Sequence, residues 1–256
     1  MNNTLIDNSI EALSMTITLR KCISTDGVKT ISIATGYWDI PGLAILQEEL
    51  RHFLEKEGTV LRLLIGKDPY VYVNQLKSPK YKDANYPQDF IRTDIHELDV
   101  VEEYKAAIRL LLDYCTDDEN SKIQIRVYRK NENDETQFLH SKCYIFDGRQ
   151  KGIGIGIVGS TNFTQKGLQG NAELNYIETA PNQVLSLDAI PGNKSHLLWF
   201  NEKWEISEPW NKQFLEQILK TAPITEEVEK ERESEQLPFT PYELYIKLLQ
   251  IKFGDI

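Results

Sequence analysis

The chain has no run of about 18 apolar residues, so hydropathy offers no transmembrane helix. Its opening, MNNTLIDNSI, lacks the basic start and apolar stretch of a secretory signal. Cysteine is scarce: Cys22, Cys115 and Cys143 are odd in number and form no CxxC pair. That excludes a thiolate metal knuckle and a disulfide framework, and predicts reduced core residues of a cytoplasmic protein. Carboxylates nowhere cluster at a metal-ligand spacing, and no internal repeat is present. What remains is a globular chain of 256 residues, long enough for one large domain with an appendix.

Positive charge is also in short supply. The formal net charge of −10 excludes a protein that coats polyanions with its whole surface. Between residues 121 and 170, however, eight Lys and Arg face four acids, a local +4. A phosphate-binding site on a repulsive body accounts for this, and ordinary scatter of charge accounts for it equally well. The stretch EEVEKERES at 226–234 is the opposite, with five Glu against Lys230 and Arg232.

Periodicity predicts alternating helices and strands. A helix is expected up to about residue 24, then a strand at KTISIATGY. A helix follows Pro41 on Leu43, Leu46, Leu50, Phe53 and Leu54, with Gly58 as its stop, and TVLRLLIG is a second strand. Residues 68–90 carry three prolines and four tyrosines without a period and read as a long loop, whose aromatics either stack on bases or pack the loop. Val101, Tyr104, Ile108, Leu111, Leu112 and Cys115 mark a further helix, and KIQIRVY a strand whose apolar side is Ile123, Ile125 and Val127. RVYRK, at its end, reads as a solvated strand end or a guide for a nucleic-acid backbone. Three more strands follow, then helices with Trp199, Phe200, Trp204, Trp210 and Phe214 as packing residues. The fold class is therefore mixed α/β. The expected boundaries are a main domain at 1–222, an acidic linker or helix surface at 223–237, and an amphipathic helix at 238–256 with Tyr242, Tyr245, Ile246, Leu249 and Phe253 as its stripe.

FLHSKCYIFD, at 138–147, reads as a strand, yet it carries His140 and Lys142 two positions apart and hence on one face with Tyr144 and Phe146. Two cations on a buried face are costly without an anionic partner. GSTNF, at the end of the next strand, sets Ser160 and Asn162 on one face in the same way. These are groups that attack phosphorus and hold its oxygens. GIGIG, inside that strand, does not open a helix, so it is close backbone packing near an expected dimer axis and not a dinucleotide loop.

The order HxKxxxxD followed by GSxN, carried by His140, Lys142, Asp147, Gly159, Ser160 and Asn162, resembles the signature of the phospholipase D superfamily. GLQGNAEL resembles the continuation of that signature and ends in the acidic Glu173. The interval from Asp147 to Gly159 is longer than the family's usual one, which an extended turn at GRQKG explains. The resemblance implies a phospholipase D-like fold, a central mixed sheet flanked by helices. It further implies that His140 attacks a phosphodiester to form a phosphohistidine, that Lys142, Asn162 and Ser160 hold the nonbridging oxygens, and that Glu173 orients His140. Asp147, out of phase, would anchor the turn or a nearby cation. No metal and no cofactor is implied.

Members of this family use a second HxK to protonate the leaving group. His52, His96 and His196 lack a lysine two residues later and read as surface or structural residues, so the second histidine is expected from a twofold-related copy, a homodimer with one composite site. The resulting expectation is a cytoplasmic, metal-independent endonuclease acting on single- or double-stranded DNA, similar to single-motif dimeric members that include restriction-type endonucleases, and working in restriction or anti-phage defence. One alternative is a nucleic-acid-binding or dimerisation module of a larger helicase–nuclease complex, silent alone. PFTPYELYIKLL resembles segments that join such domains to a helicase or ATPase partner. A lesser alternative is a phospholipid hydrolase or transferase of the same superfamily, against which stand the single motif and the lack of an apolar span.

Overall fold

In a computed structural model of the chain the described residues are 5–66, 91, 95–118, 120–128, 139–188, 193–236 and 241–254. The loop expected at 68–90 lies outside them, as do the basic residues Arg129 and Lys130. Among the described residues, eight strands form one sheet in the order β1-β7-β6-β5-β2-β3-β4-β8. Its centre is β2 (Thr30–Thr35), β3 (Val60–Ile65) and β4 (Ile123–Val127), paired in parallel. These strands are rich in Ile, Leu and Val because parallel strands are covered on both faces. On the other side of β2 the strands β5 (Cys143–Gly148), β6 (Ile153–Gly159), β7 (Leu174–Glu178) and β1 (Leu5–Asp7) run antiparallel, and β8 (Glu208–Pro209) closes the far edge. The mixed α/β class is thus the observed one.

The sheet divides two cores. Ile31, Ile33, Leu61, Leu63, Ile123, Ile125, Tyr144 and Phe146 enter the larger one, while Ala34, Leu64, Cys143 and Ile145, the alternate positions, enter the smaller. Helices α1 (Met15–Ile23), α2 (Ile40–Ile45), α3 (Gln47–Glu55) and α4 (Glu102–Tyr114) cover the first face. The short α5 (Pro181–Leu185) and α6 (His196–Glu205) cover the second, through Val184, Leu197, Phe200 and Trp204. Arg62 of β3 is fastened between them: it donates to Ser32 Oγ and Asn201 Oδ1 and lies 4.9 Å from the Phe200 ring centroid, and burial pushes its guanidinium down to about 10. The three cysteines are free and buried, and burial pushes each thiol up to about 12.

Four elements differ from the periodicity reading. The first helix begins at Met15, because residues 5–7 pair with β7 and Asn8 turns the chain by donating to the Gly167 carbonyl and accepting from Met15 N. The helix after Pro41 is two, broken at Leu46, whose backbone leaves the helical region while its side chain stays in the core. Residues Asn211–Phe214 form α7, which continues into a wider turn to Leu219. The expected acidic linker is α8 (Pro223–Gln236), docked by Ile224 and Val228 in the larger core and by Glu231, which accepts from Lys105 and Arg109 of α4. Its acids face partners on α4 and solvent, so charge alone could not separate a tether from a docked helix. The last helix, α9 (Pro241–Phe253), leaves Tyr242, Tyr245, Leu248 and Ile251 exposed.

Candidate active site

The HxK segment precedes its strand instead of lying in it. Alternation holds from Cys143 onward, but His140 and Lys142 come before the first ladder pair; Lys142 is 6% exposed, while His140 is open to solvent. The cause lies at the ends of β2 and β3. A Cβ on Gly66 would sit 2.0 Å from the Leu139 carbonyl oxygen, so residues 139–140 pass over that strand end with backbone against backbone. Among the described residues no strand continues there to pair with them. Lys142 Nζ then turns back to donate to the His140 carbonyl at 2.8 Å.

Antiparallel pairing brings the second half of the motif to the same place. Cys143 opposes Val158, and Gly159 N donates to the Lys142 carbonyl at 3.3 Å. The chain leaves β6 at Gly159, and buried groups shape the segment beyond it. Thr161 N donates to Asn175 Oδ1, Asn175 Nδ2 donates to Thr161 Oγ1, and Tyr144 Oη donates to the Thr161 carbonyl. Phe163 N donates to Thr35 Oγ1, which pins the segment over the end of β2. Unpaired, these groups would each cost about 1–3 kcal/mol, so they specify one path for GSTNF.

Asn162 is oriented by the same strand end. Its Oδ1 accepts from Tyr37 N at 3.1 Å, which identifies that atom as the oxygen and leaves the amide NH2 as the outward, donating end. A Cβ on Gly36 would lie 3.3 Å from both Asn162 Oδ1 and the His140 ring. Imidazole and carboxamide therefore converge on one point that a single added methyl would fill. Ser160 is exposed and uses its hydroxyl on β7, accepting from Leu174 N and donating to the Leu174 carbonyl. Glu173, the preceding residue, accepts from Asn171 Nδ2 at 3.1 Å. Ser160 N donates to the Leu174 carbonyl, which sets Glu173 at the same end of the sheet, and burial first and the Glu173 charge second push the Tyr144 phenol well above its usual range.

Asp147 stands elsewhere. It opposes Thr30 and Gly154 at the far end of β5, roughly 16 Å along the strand from Lys142. There it accepts from the backbone N and guanidinium of Arg149, closing the GRQKG turn and holding the Arg149 pKa above its usual value. Two of the glycines of GIGIG are covered by this chain's own α5 and α6: a Cβ on Gly154 would meet Pro181 and Leu185, and one on Gly156 the His196 ring. Of the other histidines, His96 lies 3.2 Å from Thr221 Oγ1 and His52 is on the exposed side of α3. Thr35, Gly36, Tyr37, Gly66 and Asn175 escaped sequence reasoning. Their only signal was a strand ending in a small residue.

Exposed imidazole, buried ammonium and oriented amide make a nucleophile beside donors for an oxyanion. Among the described residues no group of three or more His, Cys, Asp or Glu is placed to hold a metal, and no helix is long and apolar enough to cross a membrane. No curated protein sequence matches the chain. Solved structures that resemble it include Nuc from Salmonella typhimurium, described as a phospholipase D family member, at 16% identity and TM-score 0.44, covering 80% of this chain and 95% of that one. NucT from Helicobacter pylori is similar at 11% identity and TM-score 0.40, covering 80% and 97%. Phosphatidylserine synthase from Haemophilus influenzae is similar at 15% identity and TM-score 0.45, covering 91% and 45%. Residues 20–190 match the family described as "Cardiolipin synthase, PLD-like domain", a span that runs from within α1 past β7 to beyond α5 and contains His140, Lys142, Ser160, Asn162 and Glu173. By that match the chain belongs to the phospholipase D-like family.

Proposed function

We propose that the chain is a metal-independent phosphodiesterase that cleaves DNA through a phosphohistidine, as a homodimer with one composite site. The observation that carries this reading is the convergence of His140 and Asn162 on one point above Gly36. A neutral His140 nitrogen attacks phosphorus, a P–N bond forms, and the P–O bond to the leaving sugar breaks. The departing alkoxide takes a proton from the partner's His140, because expelling it bare is slow. That imidazole then removes a proton from water, the hydroxide attacks phosphorus, and the P–N bond breaks to release a phosphomonoester and free His140. Lys142 and the Asn162 amide hold the nonbridging oxygens, and Glu173 orients the ring.

The second copy is needed because the chain holds one HxK. An apolar row beside Ser160 favours a protein surface there: Leu5 and Tyr176 are ladder partners, Leu174 shares their face, and all three are exposed. DNA is favoured over lipid by the single motif. The place in restriction or anti-phage defence, with a helicase or ATPase partner, rests on the likeness of PFTPYELYIKLL to joining segments.

The test is cleavage of single- and double-stranded DNA in EDTA. Turnover should persist in chelator and fall by at least about 10³-fold in His140→Ala. Strict metal dependence, or a His140→Ala protein that still cuts, ends the proposal.

A further inference from the structure

On the face of the sheet covered by α6, a cleft of about 440 Å³ opens between the start of β5, the end of β6 and the first turns of α6. Ser141, Lys142 and Val158 form one side, and Lys194, His196 and Trp199 the other. The volume lies in the range of about 300–1,000 Å³ usual for small-ligand sites. The chemistry above uses nothing from the α6 wall. Yet Ser141 follows His140 directly, so the cleft begins one Cα step, about 3.8 Å, from the nucleophile's backbone. Lys142, which holds the nonbridging oxygens in the reading above, also lines the cleft, so the cleft is within reach of a nucleoside next to a phosphodiester seated at His140.

We propose that the cleft receives the nucleobase adjacent to the scissile phosphate, stacked on the Trp199 indole, with the next backbone phosphate met by Lys194. The assignment rests on the phosphodiesterase reading of His140. Trp199 is the first observation. Its neighbours Phe200 and Trp204 are buried in the smaller core, whereas Trp199 packs against that core only in part and turns the rest toward the cleft. Lining chemistry is the second: Val158 and Trp199 offer a dry surface, while Lys142 and Lys194 offer charge, the complement of a flat base joined to an anion. Rigidity is the third. The His196 ring lies against the backbone at Gly156, where a Cβ would come within 2.9 Å of it, and buried Ser195 caps α6 by accepting from Leu198 N while donating to the Ser186 carbonyl. Lys194 pairs with Glu202 at 2.5 Å, with both side chains nearly half exposed, so a phosphate can replace the carboxylate at little cost. An acyl chain would answer Trp199 and Val158 but leave Lys194 nothing to bind.

The experiment uses the full chain carrying His140→Ala, in which binding is read without turnover. Thymidine 5′-monophosphate and inorganic phosphate are titrated separately by tryptophan fluorescence and calorimetry. The nucleotide is expected to quench and saturate, and phosphate not to quench. Adding Trp199→Ala should weaken nucleotide binding about tenfold. Trp199→Phe, which keeps a stacking ring, should hold it within about threefold. Equal affinity of the Trp199→Ala and Trp199→Phe proteins overturns the base site even if DNA cleavage depends on His140. Trp199-dependent nucleotide binding by a chain that cuts no DNA supports the base site and rejects the phosphodiesterase reading. Quenching by phosphatidylglycerol vesicles without quenching by the nucleotide overturns it. If Trp199→Ala unfolds, Lys194→Gln decides: nucleotide binding unchanged at low salt counts against the site, and binding weakened about threefold supports it.

Discussion

At the scale of single residues, the site depends on atoms that are missing as much as on those present. Gly36 lets His140 and Asn162 approach a common point, and an added methyl there would push both by a few tenths of an ångström. Reaction geometry is unforgiving of such shifts, so Gly36→Ala should lower kcat about tenfold with little change in thermal midpoint, measured side by side on the same preparation. Asp147 presents the opposite case. Although it stands in the motif with His140 and Lys142, it serves the Arg149 turn at the other end of β5. Asp147→Ala should therefore cost about 1–3 kcal/mol of stability in urea titration while kcat of the folded fraction stays within about threefold, and a kcat loss matching that of His140→Ala would contradict this placement. His140, Lys142 and Asn162 were singled out by their spacing together with the resemblance of the whole motif to the family's. Gly36 and Tyr37 were not, because their role comes from a strand that is distant in the chain and adjacent only in the sheet.

At the scale of elements, hydrophobic period was a good guide wherever one face meets a core. β4 buries Ile123, Ile125 and Val127 as alternation demands, and α4 buries Ala107, Ile108, Leu110 and Leu111. Charge was a poorer guide where a polar sequence belongs to a docked element. Residues 223–237 read as an acidic linker or a helix surface, and in α8 Ile224 and Val228 reach the larger core while Glu231 meets Lys105 and Arg109. Ile224→Ala should lower stability by about 2–5 kcal/mol, seen as a single shifted urea transition. A true linker would tolerate the change within about 0.5 kcal/mol. In the HxK segment alternation continues in sequence to His140, but the ladder stops at Cys143, which pairs with Ala34 one residue before β2 ends.

At the scale of the whole molecule, one HxK per chain and an exposed apolar row beside Ser160 make a claim about assembly. If two copies share one site, mixing equal amounts of unaltered and His140→Ala chains with full exchange should leave about a quarter of the activity of the same total amount of unaltered protein, against about half if each chain works alone. Sedimentation and activity of the same mixture decide between these values. A monomer cutting at full rate would leave the second imidazole without a source.

The sequence by itself determined the chemistry on offer and the alternation of strands and helices, since side-chain types and their periods are local properties of the chain. It also carried the motif that joins His140 to Glu173 across two turns. Tertiary structure decided which of those residues meet. Antiparallel pairing of β5 with β6 brings Gly159 to Lys142 and sends Asp147 to the other end, and the close of β2 at Gly36 and Tyr37 sets the orientation of Asn162. Such meetings depend on register and on backbone approach, and for Asn162 with Gly36 and Tyr37 the partners lie more than a hundred residues apart in the chain.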